Sequence, residues 1–462
     1  MADIPVLLGL RGFVVAVAIV LAAGCASIPS APINEPLPEG AISGPAAPAA
    51  ATRENSIILS LSGGGLRAAA FAQGVLLALE SRATPTGDLL DDVSVISSVS
   101  GSSLTAAYFG LYGREGIRQF RERVLLPGFE SDLQLSFTPW NLYRLLGTGL
   151  NSSNDLARGL DRNVFRGATF ADLYAHSTAD VRIHATELYH RIPFPFIPMA
   201  FATLCSDLTR YPIANAVAAS MAVPMVFSPV ILRSYPERCR PSPAEMEALR
   251  VNAPRSHTLA AIAGAMRSYR EPPEKFVKLA DGGLIDNFAV SHFTIYRLVM
   301  GTPYAPMSEG DAVRVRRLLL IAVDASRPAR GEWLETEEGP NGIALGLAGM
   351  DAAIDPAARL AADAFDRTVE EWQRSVVDFR CSLSTDQAHN LGAAADWDCR
   401  DVKFTVAHLA VSDLPSPLRE RIAAIPTRLA LEPSETDDAI KGGFDGTLAL
   451  PELQNYLTER AR

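Results

Sequence analysis

Histidine and cysteine are scarce in this 462-residue chain, at seven and five, and what they fail to form excludes several classes of chemistry. No Cys/His spacing suggests a zinc site, and no stretch has the pattern of a calcium loop. No metal and no cofactor is therefore expected. A Ser-His-Asp triad needs a histidine at the right sheet edge, and none of His176, His184, His190, His257, His292, His389 and His408 stands in such a context: His184 lies inside a strand-like run, and His292 reads as helical surface. Long Lys/Arg clusters are also missing. With 52 acidic against 42 basic residues and a net charge of −10, nucleic acid is excluded as an expected partner. There is no internal repeat. A hydrophobic content of 48% rules out disorder throughout and is enough to bury a large core.

The amino-terminal segment differs from the rest. Phe13 to Ala23 is an unbroken apolar run, with Arg11 before it and Gly24 after it, the pattern of an export signal; alone it is short for a membrane span. Leu21-Ala22-Ala23-Gly24-Cys25 resembles the lipobox of bacterial lipoproteins, in which the cysteine is lipidated and becomes the mature N-terminus. The match departs at Ala22, where the family prefers leucine, and Asp3 opposes Arg11. Two readings stand: lipidation of Cys25, or an uncleaved single anchor. The lipobox resemblance implies a protein of the cell envelope held to the membrane through its N-terminal lipid. Ala26, in place of the aspartate that retains such proteins at the inner membrane, points to the outer membrane and a periplasmic orientation. Export also fits the other cysteines. Cys381 and Cys399 bracket a polar loop where a local disulfide is expected in an oxidising compartment, and Cys205 and Cys239 remain.

Four regions follow from composition and periodicity: 1–25, the signal; 26–55, a Pro/Ala-rich flexible tether; 56–330, an α/β domain; and 331–462, a mainly helical extension with a small β element packed on that domain. From Ser56 onward strand-like and helix-like runs alternate, which predicts a mostly parallel central sheet flanked by helices, a three-layer α/β/α arrangement. Strands are expected near 56–61, 93–99, 181–188, 198–203, 275–279 and 317–323, the last nearly continuous apolar as a central parallel strand should be. Between the second and third, 113–173 reads as a long helical and loop insertion with aromatic Phe120, Phe129, Phe137, Trp140 and Tyr143. In the extension, Leu360, Ala364, Phe365, Val369, Trp372 and Val376 fall on one helical stripe, and Val402, Phe404 and Val406 alternate as a strand.

Three motifs carry the chemistry. Gly63-Gly64-Gly65-Leu66-Arg67 lies between a strand and a helix whose Phe71, Val75 and Leu79 share a face. Glycines there free backbone N–H groups to face an anion, and the helix N-terminus adds its dipole. Ser98-Val99-Ser100-Gly101-Ser102 turns a strand abruptly into a helix, the geometry that projects a nucleophilic serine from a sheet edge. Ser62, Ser97, Ser98, Ser102 and Ser103 compete with Ser100 locally. At Asp281-Gly282-Gly283 a strand ends in an aspartate that two glycines free to approach a neighbouring loop; taken alone it also reads as an ordinary turn.

Together, in this order, the motifs resemble those of the patatin-like phospholipase family over about residues 56–326. Ala185-Thr186-Glu187-Leu188 resembles that family's Ala-Thr-Asp-Leu strand, and Ala219 to Pro229 a segment ending in Pro-x-x-Phe-x-Pro. The resemblance implies a lipid acyl hydrolase working through a Ser100–Asp281 dyad, with Gly63, Gly64, Gly65, Leu66 and Arg67 as the oxyanion motif. It implies a lipid or phospholipid as substrate. The departure is at the elbow, where the family's Gly-x-Ser-x-Gly has Ser98 and Ser102 as its flanks. That substitution favours the competing reading, a catalytically silent envelope lipoprotein using the fold to bind or scaffold.

Other readings are weaker. Gly63-x-Gly65-x-x-Ala68 also fits a dinucleotide fingerprint, but the acidic residue required at the end of the second strand is replaced by Ser100. A Walker loop fails for want of Gly-Lys-Ser/Thr. Arg67 either braces the glycine loop or lies near a phosphate headgroup. Arg191 to Met199, rich in proline and large apolar residues, either lines an acyl pocket or packs in the core. Asp286 and Asp324 read as capping or solvated aspartates.

Overall fold

The computed structural model describes residues 31–39, 41, 53–129, 152–238, 244–270, 274–326, 337–339 and 342–460. The signal region, Cys25, Phe137, Trp140, Tyr143 and Cys239 lie outside the described residues. None of the described helices is long and apolar enough to cross a membrane.

The sheet is built from β1 (Asn55–Leu61), β2 (Val93–Val99), β3 (Asp180–Glu187), β4 (Ile192–Pro195), β5 (Val230–Arg233), β6 (Phe276–Asp281), β7 (Arg317–Asp324) and β8 (Lys403–Ala410). Their order is β8-β7-β1-β2-β3-β6-β5, with β4 paired to β3. From β8 to β3 all neighbours are parallel; β6, β5 and β4 join antiparallel. The sheet is thus mixed and mostly parallel, with helices flanking it. Apolar runs such as Leu318 to Val323 form the middle because a parallel strand covered on both faces has no polar side to show, and each of these residues is buried.

Helix α1 (Gly65–Glu80) follows β1, α2 (Gly101–Phe120) follows β2, and α3 (Ile213–Ser220), α4 (Ser291–Met300), α5 (Gly342–Ser382) and α6 (Pro433–Ala449) complete the frame around the site. Almost every residue of α1 is buried, because the sheet covers one side and α2 and α6 the others. At the α1–α6 crossing the backbones touch: a Cβ added at Gly74 would lie 2.0 Å from the Ile440 carbonyl oxygen, and one at Gly443 would lie 2.0 Å from that of Phe71.

Several expectations need revision. Pro198–Thr203 is a helix, not a strand; Pro198 stands in its first turn, where its fixed φ suits a helix and its missing N–H costs no bond. The stripe of α5 is split: Phe365, Val369, Trp372 and Val376 are buried, whereas Leu360 is 68% exposed and Ala364 is exposed too. The small β element near Val402 to Val406 is β8, an edge strand of the main sheet rather than a separate feature. Within the stretch read as a free tether, Asn34 and Leu37 are buried; Asn34 bonds to Ser206 and Arg233, and Leu37 N–H to the Cys205 carbonyl, so this part is docked. The expected Cys381–Cys399 disulfide is present, and Cys205 is also disulfide-bonded.

Alanine in an exposed helix normally stabilises relative to glycine by about 1 kcal/mol. At the α1–α6 crossing the sign reverses, since no side chain fits between the backbones. Gly74→Ala and Gly443→Ala are each expected to destabilise by about 1–3 kcal/mol or more, read as a lower urea midpoint. An unchanged midpoint for both would show that the two helices do not meet this closely.

Candidate active site

Strand register brings the three motifs to one place. Val99 pairs with His184 on one side of β3, and Asp281 pairs with Ala185 on the other. β6 runs antiparallel to β3, so its last residue descends to the level at which β2 ends. Ser100 and Asp281 meet across β3, and the Ser100 hydroxyl donates to Asp281 Oδ2 at 2.7 Å. They are 6% and 7% exposed.

The turn at Ser100 is sharp. Its backbone has φ 54° and ψ −129°, a conformation that costs a non-glycine residue about 1–3 kcal/mol and persists only where neighbours hold it. The neighbours are identifiable: Ser100 N–H donates to Ser220 Oγ at 2.8 Å, and the Ser220 hydroxyl donates to the His184 carbonyl at 2.6 Å. Ser220 ends α3, whose carboxyl end also holds the Asp281 loop: Asp281 N–H donates to the Ala222 carbonyl, and Gly282 N–H to that of Ser220.

Burial raises the Asp281 carboxyl to about 6, against the opposing pull of the hydrogen bonds from Ser100 and Gly283 N–H, the latter 2.8 Å from Oδ1. A carboxylate in this range is a stronger base than one in water. No described histidine bonds to Ser100. His184 Nε2 pairs with Ser97 Oγ at 2.8 Å, its ring lies 5.5 Å from that of His292, and burial holds it neutral, with its pKa lowered to about 3.

The glycine loop packs on Ser100; a Cβ at Gly63 would lie 3.0 Å from Ser100 Cβ. Gly64 (φ 141°) and Gly65 (φ 62°) adopt backbone conformations that favour glycine. Its donors are unequal. Gly63 N–H donates to Asn287 Oδ1 at 3.3 Å, and Leu66 N–H to the Arg428 carbonyl at 3.0 Å. Among the described residues, the N–H groups of Gly64 and Gly65 have no protein acceptor. Arg67 is 1% exposed and donates to the carbonyls of Ala325 and Ile425. It braces the loop, which removes the reading of a headgroup contact.

Each competing serine is engaged elsewhere. Ser62 Oγ accepts from Ala325 N–H, Ser97 binds His184 and the Ala289 carbonyl, and Ser103 meets Ser220. Ser98 donates to the Arg182 carbonyl at 3.0 Å, and Ser102 to the Ser62 carbonyl at 2.6 Å. Both serine flanks of the elbow thus fit with their hydroxyls satisfied. In the Arg191–Met199 stretch, Ile192, Phe194 and Phe196 are buried, and Phe196 packs with Phe170, Phe201 and Tyr211, which makes it core. Asp286 caps Val290 and Ser291 N–H, and Asp324 accepts from Ser326 N–H.

Ser220 and Asn287 were not singled out in the sequence. Ser220 lies within the stretch Ala219 to Pro229 and Asn287 shortly after Asp281-Gly282-Gly283, yet only the fold shows what each side chain meets.

A family model described as Patatin-like phospholipase matches residues 59–294, just over half of the chain. No curated protein matches it. Among solved structures it is similar to human GIVD cytosolic phospholipase A2, at 13% identity and a TM-score of 0.39, covering 88% of this chain and 62% of that one. The same human protein in complex with methyl gamma-linolenyl fluorophosphonate gives 14% identity and a TM-score of 0.37, covering 88% and 60%. The chain thus spans less than two thirds of the length of that human protein.

The carboxyl environment is directly measurable. A ¹³C titration of the Asp281 carboxyl is expected to give an apparent pKa of about 6, moving upward in Ser100→Ala because the lost hydrogen bond favours the ionised form. Between the ordinary aspartate value of 3.8 and about 6 the folded chain binds more protons than the unfolded one, so this group's contribution to stability falls as pH rises through that window. A midpoint near 3.8 would show a solvated carboxyl and a looser site.

Proposed function

Given that the chain belongs to the patatin-like phospholipase family, we propose that it is a serine acyl hydrolase cleaving fatty-acyl esters of lipids, with Ser100 as nucleophile and Asp281 as its base. The observation that carries this is the 2.7 Å contact between Ser100 Oγ and Asp281 Oδ2, formed by two buried residues beneath a glycine loop with donors to spare.

In the proposed reaction Asp281 takes the Ser100 proton as Oγ attacks the ester carbonyl. The tetrahedral oxyanion is stabilised by the N–H groups of Gly64 and Gly65, each worth about 3–4 kcal/mol by analogy with measured oxyanion donors. The intermediate collapses, the C–O bond to the alcohol breaks, and Asp281 returns the proton to the leaving oxygen. Water, deprotonated by Asp281, then attacks the acyl-serine, freeing the fatty acid and restoring Ser100. The dyad needs an aspartate whose burial has already lifted its proton affinity toward neutrality, which the environment of Asp281 supports. The serine flanks, the feature that favoured a silent binding protein, have bonded hydroxyls, so that reading loses its main support.

We carry the lipobox resemblance into the same proposal: Cys25 bears lipid and holds the enzyme at the outer membrane, on its periplasmic side, beside its substrate.

Ser100→Ala and Asp281→Asn are expected to lower kcat on acyl esters about a thousandfold or more while the protein stays folded, and a fluorophosphonate should label wild type at Ser100. Near-full activity in Asp281→Asn would overturn the dyad, and no labelling of folded wild type would overturn the hydrolase. For the anchor, Cys25→Ala is expected to move the protein from the membrane fraction to the soluble one; retention in the membrane would favour an uncleaved anchor.

A further inference from the structure

The peptide joining Ser62 to Gly63 is held at both ends by side chains from the two other loops of the site. Its carbonyl oxygen accepts the Ser102 hydroxyl at 2.6 Å, and its N–H donates to Asn287 Oδ1 at 3.3 Å. Ser102 lies in the first turn of α2, two residues beyond Ser100. Asn287 directly follows the short helix Gly283–Asp286 that begins two residues after Asp281. Asn287 is itself fixed: its Nδ2 donates to Ser326 Oγ at 3.1 Å, beyond the end of β7. The orientation of its amide follows from chemistry, because only the oxygen side can face the Gly63 N–H.

A peptide unit is planar, so holding its C=O and its N–H fixes the whole plane. The next N–H groups along the chain are those of Gly64 and Gly65, the ones with no protein acceptor among the described residues. Glycines resist misorientation poorly, and without an external hold this loop has many conformers. We propose that Ser102 and Asn287 are positioning residues that clamp the Ser62–Gly63 peptide and thereby aim the Gly64 and Gly65 N–H groups at the oxygen of an acyl group on Ser100. One arm of the clamp moves with the nucleophile and the other with the base, so the three parts of the site stay in register. On this view Ser102 is more than a tolerated replacement of a small flank: its hydroxyl gives the loop a bond that glycine at that place cannot make.

The inference rests on the hydrolase reading, and its test separates the two. With p-nitrophenyl esters, Ser102→Ala, Ser102→Gly and Asn287→Ala are each expected to lower kcat about ten- to a hundredfold with KM changed less than about twofold, since the aim of the donors matters to the oxyanion and not to ground-state binding. The Ser102→Ala/Asn287→Ala double variant is expected to lose little more than the worse single one, because either substitution already releases the plane. Amide hydrogen exchange at Gly63 should accelerate in each single variant, a readout that needs no activity. If wild type is active and the single variants keep its kcat, or if the losses multiply, the clamp is wrong and the hydrolase stands. If wild type neither hydrolyses esters nor reacts with a fluorophosphonate, the hydrolase reading fails; unchanged Gly63 exchange in all three single variants then disproves the clamp as well.

Discussion

Backbone touching backbone at Gly65 and Gly101 is the constraint on which the site depends. A Cβ at Gly101 would lie 1.9 Å from the Gly65 carbonyl oxygen, a separation no packed atoms adopt. Because the loop after β1 and the turn after β2 meet without side chains between them, a loop of N–H donors can lie against a serine at all. The same economy recurs one strand over: a Cβ at Gly282 would lie 2.4 Å from the His184 carbonyl, and that closeness lets β6 end beside Ser100. Glycine is required at each of these points by distance, and at Gly64 and Gly65 by backbone angle as well.

Given that close approach, the electrostatics follow. Ser100 and Asp281 are buried together, with no cation bonded to the carboxylate among the described residues and with one hydroxyl and one amide N–H as its donors. Desolvation dominates, and the carboxyl rises to about 6. A histidine in this position would face the opposite penalty: burial lowers a neutral base's affinity for the proton, as it does for His184 a few ångströms of sheet away. Burial therefore strengthens an aspartate as a base and weakens an imidazole, which is a physical reason for the proposed Ser100–Asp281 pairing to work without a histidine.

The sequence made the parts of this site legible because each carries a local signature: glycines where donors must be bare, a serine between small residues at a strand end, an aspartate followed by two glycines. Periodicity also located most strands of the sheet, including β7, whose apolar run has no other sensible home. It misread Pro198–Thr203, where apolar content was taken for a strand and the proline's preference for a helix start was not weighed. It set Leu360 and Ala364 on one stripe with Phe365 and Trp372, only the latter two of which are buried, because a helical period says nothing about where a 41-residue helix outgrows the body beneath it. Ser220 and Asn287 were illegible for a different reason. Each acts by bonding a backbone atom more than a hundred residues away, and no local pattern encodes such a partner.

The carboxyl-terminal region changes what counts as the site. Residues 425–429 lie beyond the family match at 59–294, yet the Ile425 carbonyl receives Arg67, the Arg428 carbonyl receives Leu66 N–H, and a Cβ at Gly65 would lie 2.8 Å from that same carbonyl. The outer wall of the glycine loop is therefore made by the extension, which α6 anchors to α1 through glycine contacts of its own. Occupying Leu66 N–H with a protein carbonyl has a chemical consequence: it withdraws one donor of the helix N-terminus from the proposed oxyanion site and leaves Gly64 and Gly65, among the described residues, as the pair without a protein acceptor. Loop, helix and extension thus form one mechanical unit, and the direction of the free donors is set as much by residues near 428 as by the three glycines themselves.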